Sequence, residues 1–336
     1  MRVTPIVLAL LASAPALAQQ ARPAPRPEPT ILWGTNPELP VAKSVGKPAD
    51  LRHYRLAKGK FKITMGPAVA MRGMTSQEVS FPSPVQEQWP TIHGTYYRPK
   101  GASETNRVPA AVIVHHLGGG FEAEEMLAQF LSSNGIATYT ISLPNYGKRR
   151  IKGSKQGFLQ QATRDPILAF GGFQQAVKDV IRAGDFLRSL PEIDPDRVGV
   201  AGVSLGAFVS SVAKGVDPRF RQTVLILGGG NLPALLSNIP NLGRYLGKNE
   251  AIAGMLRPLV KPVDPCTYAD RVNPAEVLML NATEDEIVPR NSTDALWNQL
   301  GRPEIKWYEC GHYGIALHLL EVMNLTLDHL KKRTPL

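Results

Sequence analysis

From about Val79 onward, short apolar runs alternate with longer stretches whose apolar residues recur at helical spacing. Thr91-Ile92-His93-Gly94-Thr95-Tyr96-Tyr97 reads as a strand ending at Arg98-Pro99. Ala110 to His115 is a continuous apolar run closed by a histidine, the pattern of a parallel strand buried on both faces. Phe121 to Asn134 has apolar residues at 126, 127, 130 and 131, which predicts a helix stopped at Asn134-Gly135. Ile136 to Leu143 is another strand, and Ile167 to Leu190 a long amphipathic helix with Phe170, Phe173, Val177, Val180, Ile181 and Leu187 on one side. A strand at Val198 to Gly202 runs directly into a helix from about Leu205 to Lys214. Thr223–Leu227, Glu276–Leu280 and Glu304–Glu309 predict three further strands, and a Leu-rich helix from about Gly314 to Lys331 closes the chain. This alternation predicts an α/β fold with a mostly parallel sheet.

The first fifty residues follow another pattern. Met1-Arg2 precedes an apolar stretch from Val3 to Leu11, followed by small residues at Ala16 and Ala18. That is the layout of an export signal cleaved after Ala18, and it predicts a secreted or periplasmic protein. Pro5, Pro15 and the shortness of the run argue against a membrane anchor, which needs about 20 apolar residues. Residues 19–50 hold seven prolines, several at alternate positions, and predict an extended tether. The α/β domain is then expected over residues 51–336.

Composition narrows the class. With 336 residues, 43% of them hydrophobic and 20% charged, the chain can build a sizeable core and is not disordered throughout. Two cysteines exclude a disulfide-stapled miniature fold. The net charge of +10 raises the question of a nucleic-acid partner, and its distribution answers it. Residues 19–62 hold nine Lys+Arg against three acids, and residues 148–155 hold five against none. With Arg2 set aside, the remaining chain is slightly acidic. No nucleic-acid face is therefore expected. Lys148, Arg149, Arg150, Lys152 and Lys155 read either as a solvated run or as a cluster that steers an anionic ester.

Candidate chemistry centres on Gly202-Val203-Ser204-Leu205-Gly206, a Gly-x-Ser-x-Gly pattern between a buried strand and a helix. A strand-to-helix reversal at one residue exposes the serine hydroxyl at the carboxyl edge of the sheet, and the flanking glycines remove side chains that would collide. Serine needs a base to act as a nucleophile, and the base needs a carboxylate to orient it. His312, in Cys310-Gly311-His312-Tyr313-Gly314, lies on a Gly-flanked loop past the last strand. His318 and His329 fall within the last helix, His53 and His93 precede the sheet core, and His115 and His116 close an early strand. The carboxylate is expected after the strand at 276–280, where Glu284-Asp285-Glu286 offers adjacent choices. Asp285 is favoured for its place before Val288-Pro289, with Glu284 as the alternative. Two N–H donors should hold the oxyanion: Leu205, just after the serine, and Leu117, in the loop His115-His116-Leu117-Gly118-Gly119-Gly120, with a register uncertainty of one residue. The His115-His116 pair lacks nearby acids or cysteines at ligand spacing, so no metal and no cofactor is expected.

These residues resemble the α/β-hydrolase superfamily from about Val79 to Leu330, and most of all its dienelactone-hydrolase and acetyl-xylan-esterase-like branch of serine esterases. The matching segments are Val112 to Gly119, Leu143 to Arg149, Ile193 to Gly206, Asp285 to Pro289 and Gly311 to Gly314. The resemblance implies an eight-stranded sheet and the chain order Ser, Asp, His. The family's early loop usually has His-Gly where this chain has His115-His116, and dienelactone hydrolases proper look like cysteine enzymes where this chain has Ser204.

The expected activity is hydrolysis of a small-molecule carboxylic ester, anionic or sugar-linked, through an acyl-enzyme on Ser204. Alternatives are a peptidase or acyltransferase with the same residues, or a binding protein that kept the fold. Residues 231–274 read as a small helical cap over the pocket or as a structural excursion. Cys266 and Cys310 could pair in an oxidising compartment, tying cap to histidine loop.

Overall fold

The computed structural model describes residues 28–39, 50–118, 120–151, 165–237 and 258–333. The expected export signal, residues 19–27 and 40–49 of the expected tether, Lys152, Lys155 and residues 238–257 of the expected cap lie outside these.

The elements that build the site begin with β4 (Met74–Pro82), β5 (Thr91–Pro99), β6 (Val108–Val114), α1 (Glu122–Ser133) and β7 (Ala137–Ile141), and β4 is preceded by β1 (Thr30–Asn36), β2 (Gly59–Met65) and β3 (Val69–Met71). They continue with α2 (Pro166–Arg188), β8 (Ile193–Val203), α3 (Leu205–Val216), β9 (Thr223–Ile226) and α4 (Leu232–Ser237). The last are β10 (Val277–Ala282), α5 (Arg290–Gln299), β11 (Glu304–Tyr308) and α6 (Leu319–Lys331). All strands join one sheet in the order β1-β2-β4-β5-β7-β6-β8-β9-β10-β11, with β3 on β4.

β7, β6, β8, β9, β10 and β11 pair in parallel, whereas β1 to β5 are antiparallel to their neighbours. The sheet thus has eleven strands among the described residues where eight were expected, and parallel pairing covers only its second half. β4 to β11 make up the expected eight. β1, β2 and β3 extend them on the antiparallel side.

The tether reading fails over Thr30–Asn36. These seven residues lie between Pro29 and Pro37, contain no proline, and pair residue by residue with Gly59–Met65. Prolines set the limits of the strand instead of forbidding it.

Alternation along the strands divides the core in two. Ala110, Val112 and Val114 of β6 face α2 and α3, whose Val177, Val180, Ile181, Phe186, Val209 and Val212 are fully or almost fully buried. Ala111 and Ile113 face the opposite way, onto Leu127 and Leu131 of α1 and Val322 and Leu327 of α6. In β9 and β10, Leu225, Val277 and Met279 pack against Ala207 and Leu296 on the α3 side. A two-sided cover of this kind explains the nearly continuous apolar strands.

The part of the expected cap that is described behaves as scaffold. Val260, Val263 and Tyr268 join the large core beside α3, and Ala269 and Val272 join the smaller core around Leu225 and Met279. Asp264 accepts hydrogen bonds from the N–H groups of Asn231, Leu232 and Cys266, fixing the start of α4 to this scaffold.

Candidate active site

β8 ends at Val203 and α3 begins at Leu205, so Ser204 alone makes the reversal. Its φ is +51° and its ψ −114°, a left-handed backbone that costs a non-glycine residue roughly 1–3 kcal/mol. A side chain at Gly202 would meet the carbonyl of Gly206, and one at Gly206 would meet the carbonyl of Val114 on β6. The two glycines therefore let α3 leave directly beside the strand edge. The Ser204 N–H donates to the Ile226 carbonyl at 2.8 Å, anchoring the turn to β9.

His312 opens a 3-10 helix, His312–His318, that leads into α6, where the sequence suggested a regular helix from about Gly314. Its Nε2 lies 3.1 Å from Ser204 Oγ, and its Nδ1 lies 2.9 and 2.8 Å from the two carboxylate oxygens of Asp285. A carboxylate only accepts, so Nδ1 carries the proton and Nε2 presents its lone pair to the serine. All three residues are buried.

The structure separates the neighbouring acids. Asp285 Oδ1 accepts hydrogen bonds from the N–H groups of Ile287 at 2.9 Å and Val288 at 2.7 Å, which turn the carboxylate inward. Glu284 is exposed, and its N–H pairs with the Cys310 carbonyl. Glu286 accepts from the backbone N–H of His312 at 3.2 Å, so it steadies the loop without touching the imidazole.

The loop after β6 is shaped by both of its histidines. His115 is buried, stacks on Phe121 with ring centres 3.9 Å apart, and accepts at Nε2 from the Leu143 N–H at 3.1 Å. Its Nδ1 donates to the His116 carbonyl at 2.8 Å. Burial lowers its pKa to about 4, so it is neutral near neutral pH. His116 pairs with the buried Glu124 of α1 at 2.7 Å, and this hydrogen bond raises its pKa. Glu124 also accepts the His116 N–H at 2.9 Å. Both imidazoles are thus engaged in holding the loop that carries Leu117, and Glu124 is a participant with no motif to mark it. Leu117 is half-buried in that loop, and Leu205 is the first residue of α3, whose N–H has no acceptor within the helix.

A small apolar pocket opens beside Leu205, lined by Trp89, Leu143, Tyr146, Phe173 and Val209 among others. Sequence reasoning did not find Trp89, because it lies in the irregular stretch between β4 and β5. Arg149 is not available for steering. Buried against Asp179 at 2.7 Å, it donates to the Ser142 and Trp89 carbonyls, each at 2.9 Å. Lys148 is exposed and pairs with Glu78 at 2.9 Å.

Cys266 and Cys310 are free thiols. Cys266 packs against the cluster that holds Leu225 and Met279, whereas Cys310 packs against the one that holds Val224 and Leu280. Consecutive residues of one strand face opposite ways, so the sheet stands between the two sulfurs and the proposed pairing is excluded. Among the described residues no helix is long and apolar enough to cross a membrane, and no cluster of three His, Cys, Asp or Glu side chains is arranged to hold a metal.

No protein-family profile matches the chain. Over 144 residues it is 27% identical to an uncharacterized protein of Mycobacterium tuberculosis, covering 43% of this chain and 34% of that protein. Over 70 residues it is 34% identical to the uncharacterized protein YdjC of Bacillus subtilis, covering 21% of this chain and 60% of that one. The chain thus spans about a third of the length of the first of these relatives and three fifths of the second. Solved structures align far more widely. The acetyl xylan esterase of a Paenibacillus species superposes with a TM-score of 0.66 at 23% identity, over 84% of this chain and 89% of that one. An acetyl xylan esterase of a Thermoanaerobacterium species gives 0.60 at 20% identity, over 80% and 88%. The acylaminoacyl peptidase of Pyrococcus horikoshii gives 0.56 at 15%, over 83% of this chain and 51% of that one. The sheet order of β4 to β11, the turn at Ser204 and these superpositions together show that the chain has the α/β-hydrolase fold.

Proposed function

We propose that the protein is an exported serine esterase that cleaves short acyl esters, sugar-linked esters among them. The observation that carries this reading is the continuous hydrogen-bonded chain Ser204–His312–Asp285, set at a strained strand-to-helix turn. Two features support the substrate class. The pocket beside Leu205 is small and apolar, suited to a short acyl group, and the fold is similar to that of proteins named acetyl xylan esterases. The apolar stretch and small residues of the first 18 positions support export.

In the proposed cycle, His312 Nε2 accepts the Ser204 hydroxyl proton while Oγ attacks the ester carbonyl carbon. The N–H groups of Leu117 and Leu205 hold the oxyanion, and Asp285 stabilises the imidazolium. The imidazolium gives its proton to the departing alcohol, leaving an acyl group on Oγ. Water then loses a proton to the same nitrogen, attacks the acyl carbon, and releases the acid as the proton returns to Oγ.

A fluorophosphonate probe followed by peptide mapping tests this directly. Labelling at Ser204, absent from a Ser204→Ala variant, is the expected result. An unlabelled wild-type protein would overturn the reading. Turnover of 4-nitrophenyl acetate but not of an N-acetylated peptide amide then places it with esterases and not peptidases.

A further inference from the structure

The antiparallel extension has one face on the core and one face open. Ile63, Phe81, Ile92 and Tyr96 are buried beneath α2. On the other side, direct cross-strand pairing aligns Ile31 of β1 with Thr64 of β2, Thr64 with Ser80 of β4, and Ser80 with His93 of β5. Residues paired in this way share a face. Trp33, paired with Lys62, extends the row toward the sheet edge where Ser204 lies, and its side chain is 64% exposed. Thr64, Ser80 and His93 are half-buried, and Lys62 and Glu78 are exposed.

Part of this face is an open groove of about 320 Å³ lined by Thr64, Glu78, Ser80, His93, Ser142 and Lys148 among others, and Trp33 lies on the same face outside that lining. One loop joins it to the pocket beside Leu205. Ser142, Gly147 and Lys148 line the groove, while Leu143, Asn145 and Tyr146 line the acyl pocket beside Leu205.

We propose that this face binds a pyranose chain and so presents a polysaccharide-borne ester to Ser204, a proposal that rests on the esterase reading for its substrate. A pyranose ring has a C–H face that packs on an exposed indole and a rim of hydroxyls that both donate and accept. Trp33 supplies the indole. Ser and Thr hydroxyls, the His93 ring, the Glu78 carboxylate and the Lys148 ammonium supply partners of both kinds. Glu78 and Lys148 neutralise one another, so the groove suits an uncharged polyol. With strands about 4.8 Å apart, β1 to β5 through β2 and β4 spans about 14 Å, the reach of a short oligosaccharide and not of one sugar.

The test is calorimetric titration of xylohexaose, cellohexaose and mannohexaose into the full-length Ser204→Ala protein, which separates binding from turnover. Saturable binding of at least one hexasaccharide is expected, weakened about tenfold or more by adding Trp33→Ala or His93→Ala, with an unchanged melting temperature as the folding control. In the proteins that retain Ser204, Trp33→Ala should lower the ratio of kcat/KM on acetylated xylan to that on 4-nitrophenyl acetate if xylohexaose is the sugar bound. Binding by none of the three, or binding unaffected by both substitutions, overturns the proposal even where esterase activity holds. If Trp33→Ala instead turns a dimer into a monomer with sugar binding intact, the face is a self-association surface and the glycan proposal falls. Sugar binding by a protein inactive on every ester would leave the groove standing and remove the esterase reading.

Discussion

At the scale of single residues, three neighbouring substitutions separate chemistry from packing. Ser204→Ala should lower kcat by about 10⁶-fold, as expected when the nucleophile of such a set is lost. Asp285→Asn should cost about 10⁴-fold, because an amide N–H facing His312 favours the wrong tautomer. Glu284→Gln, on an exposed side chain, should leave kcat/KM within about twofold. Steady-state hydrolysis of 4-nitrophenyl acetate measures all three, and a large loss in the Glu284 variant would reassign the carboxylate. Ser204 and His312 were legible because a Gly-flanked position between strand and helix, or just after a last strand, is rare and chemically specific. Sequence alone does not separate Asp285 from Glu284. The choice depends on the Ile287 and Val288 N–H groups, and thus on how the loop turns back after β10.

At the scale of elements, residues 142–151, which follow β7, depend on one buried ion pair. Arg149 holds Ser142 and Trp89 to Asp179 of α2, and Ser83 donates to the same aspartate at 2.6 Å. Removing the arginine alone would leave a buried carboxylate without its cation. Arg149→Met should therefore destabilise by about 3–5 kcal/mol, and Arg149→Met with Asp179→Leu should recover much of that. Chemical denaturation of the single and double variants measures the difference. In sequence Arg149 is one basic residue in a basic run, and nothing local distinguishes it from the exposed Lys148. Partners 30 and more residues away do so. The same non-locality hid the extension. β6, β7, β9 and β10 are buried on both faces and announce themselves by apolar runs, whereas β1, β2 and β4 are polar on their open face and recognisable only through their pairing.

Across the whole molecule, two buried histidines make stability fall in acid. Burial lowers His115 and His329 to about 4, well below the ordinary value of 6.5. Between pH 6.5 and 4 the unfolded chain binds protons at these positions that the folded chain does not. The stability they leave intact above pH 6.5 is therefore lost as pH falls toward 4, by up to about 3 kcal/mol for each. Melting temperatures from pH 7 to pH 4 should show a flatter acid limb in a His329→Gln variant. An unchanged slope would assign the acid sensitivity elsewhere.

The sheet between Cys266 and Cys310 also determines how the protein meets its surroundings. Burial raises both thiols above their ordinary pKa, Cys266 to about 12, so neither is readily converted to the reactive thiolate. Folding then needs no oxidant and no disulfide-forming catalyst. Melting temperatures with and without dithiothreitol should coincide, and a difference between them would mean a covalent link that this sheet forbids. A fold held together in this way does not depend on the redox state of its surroundings.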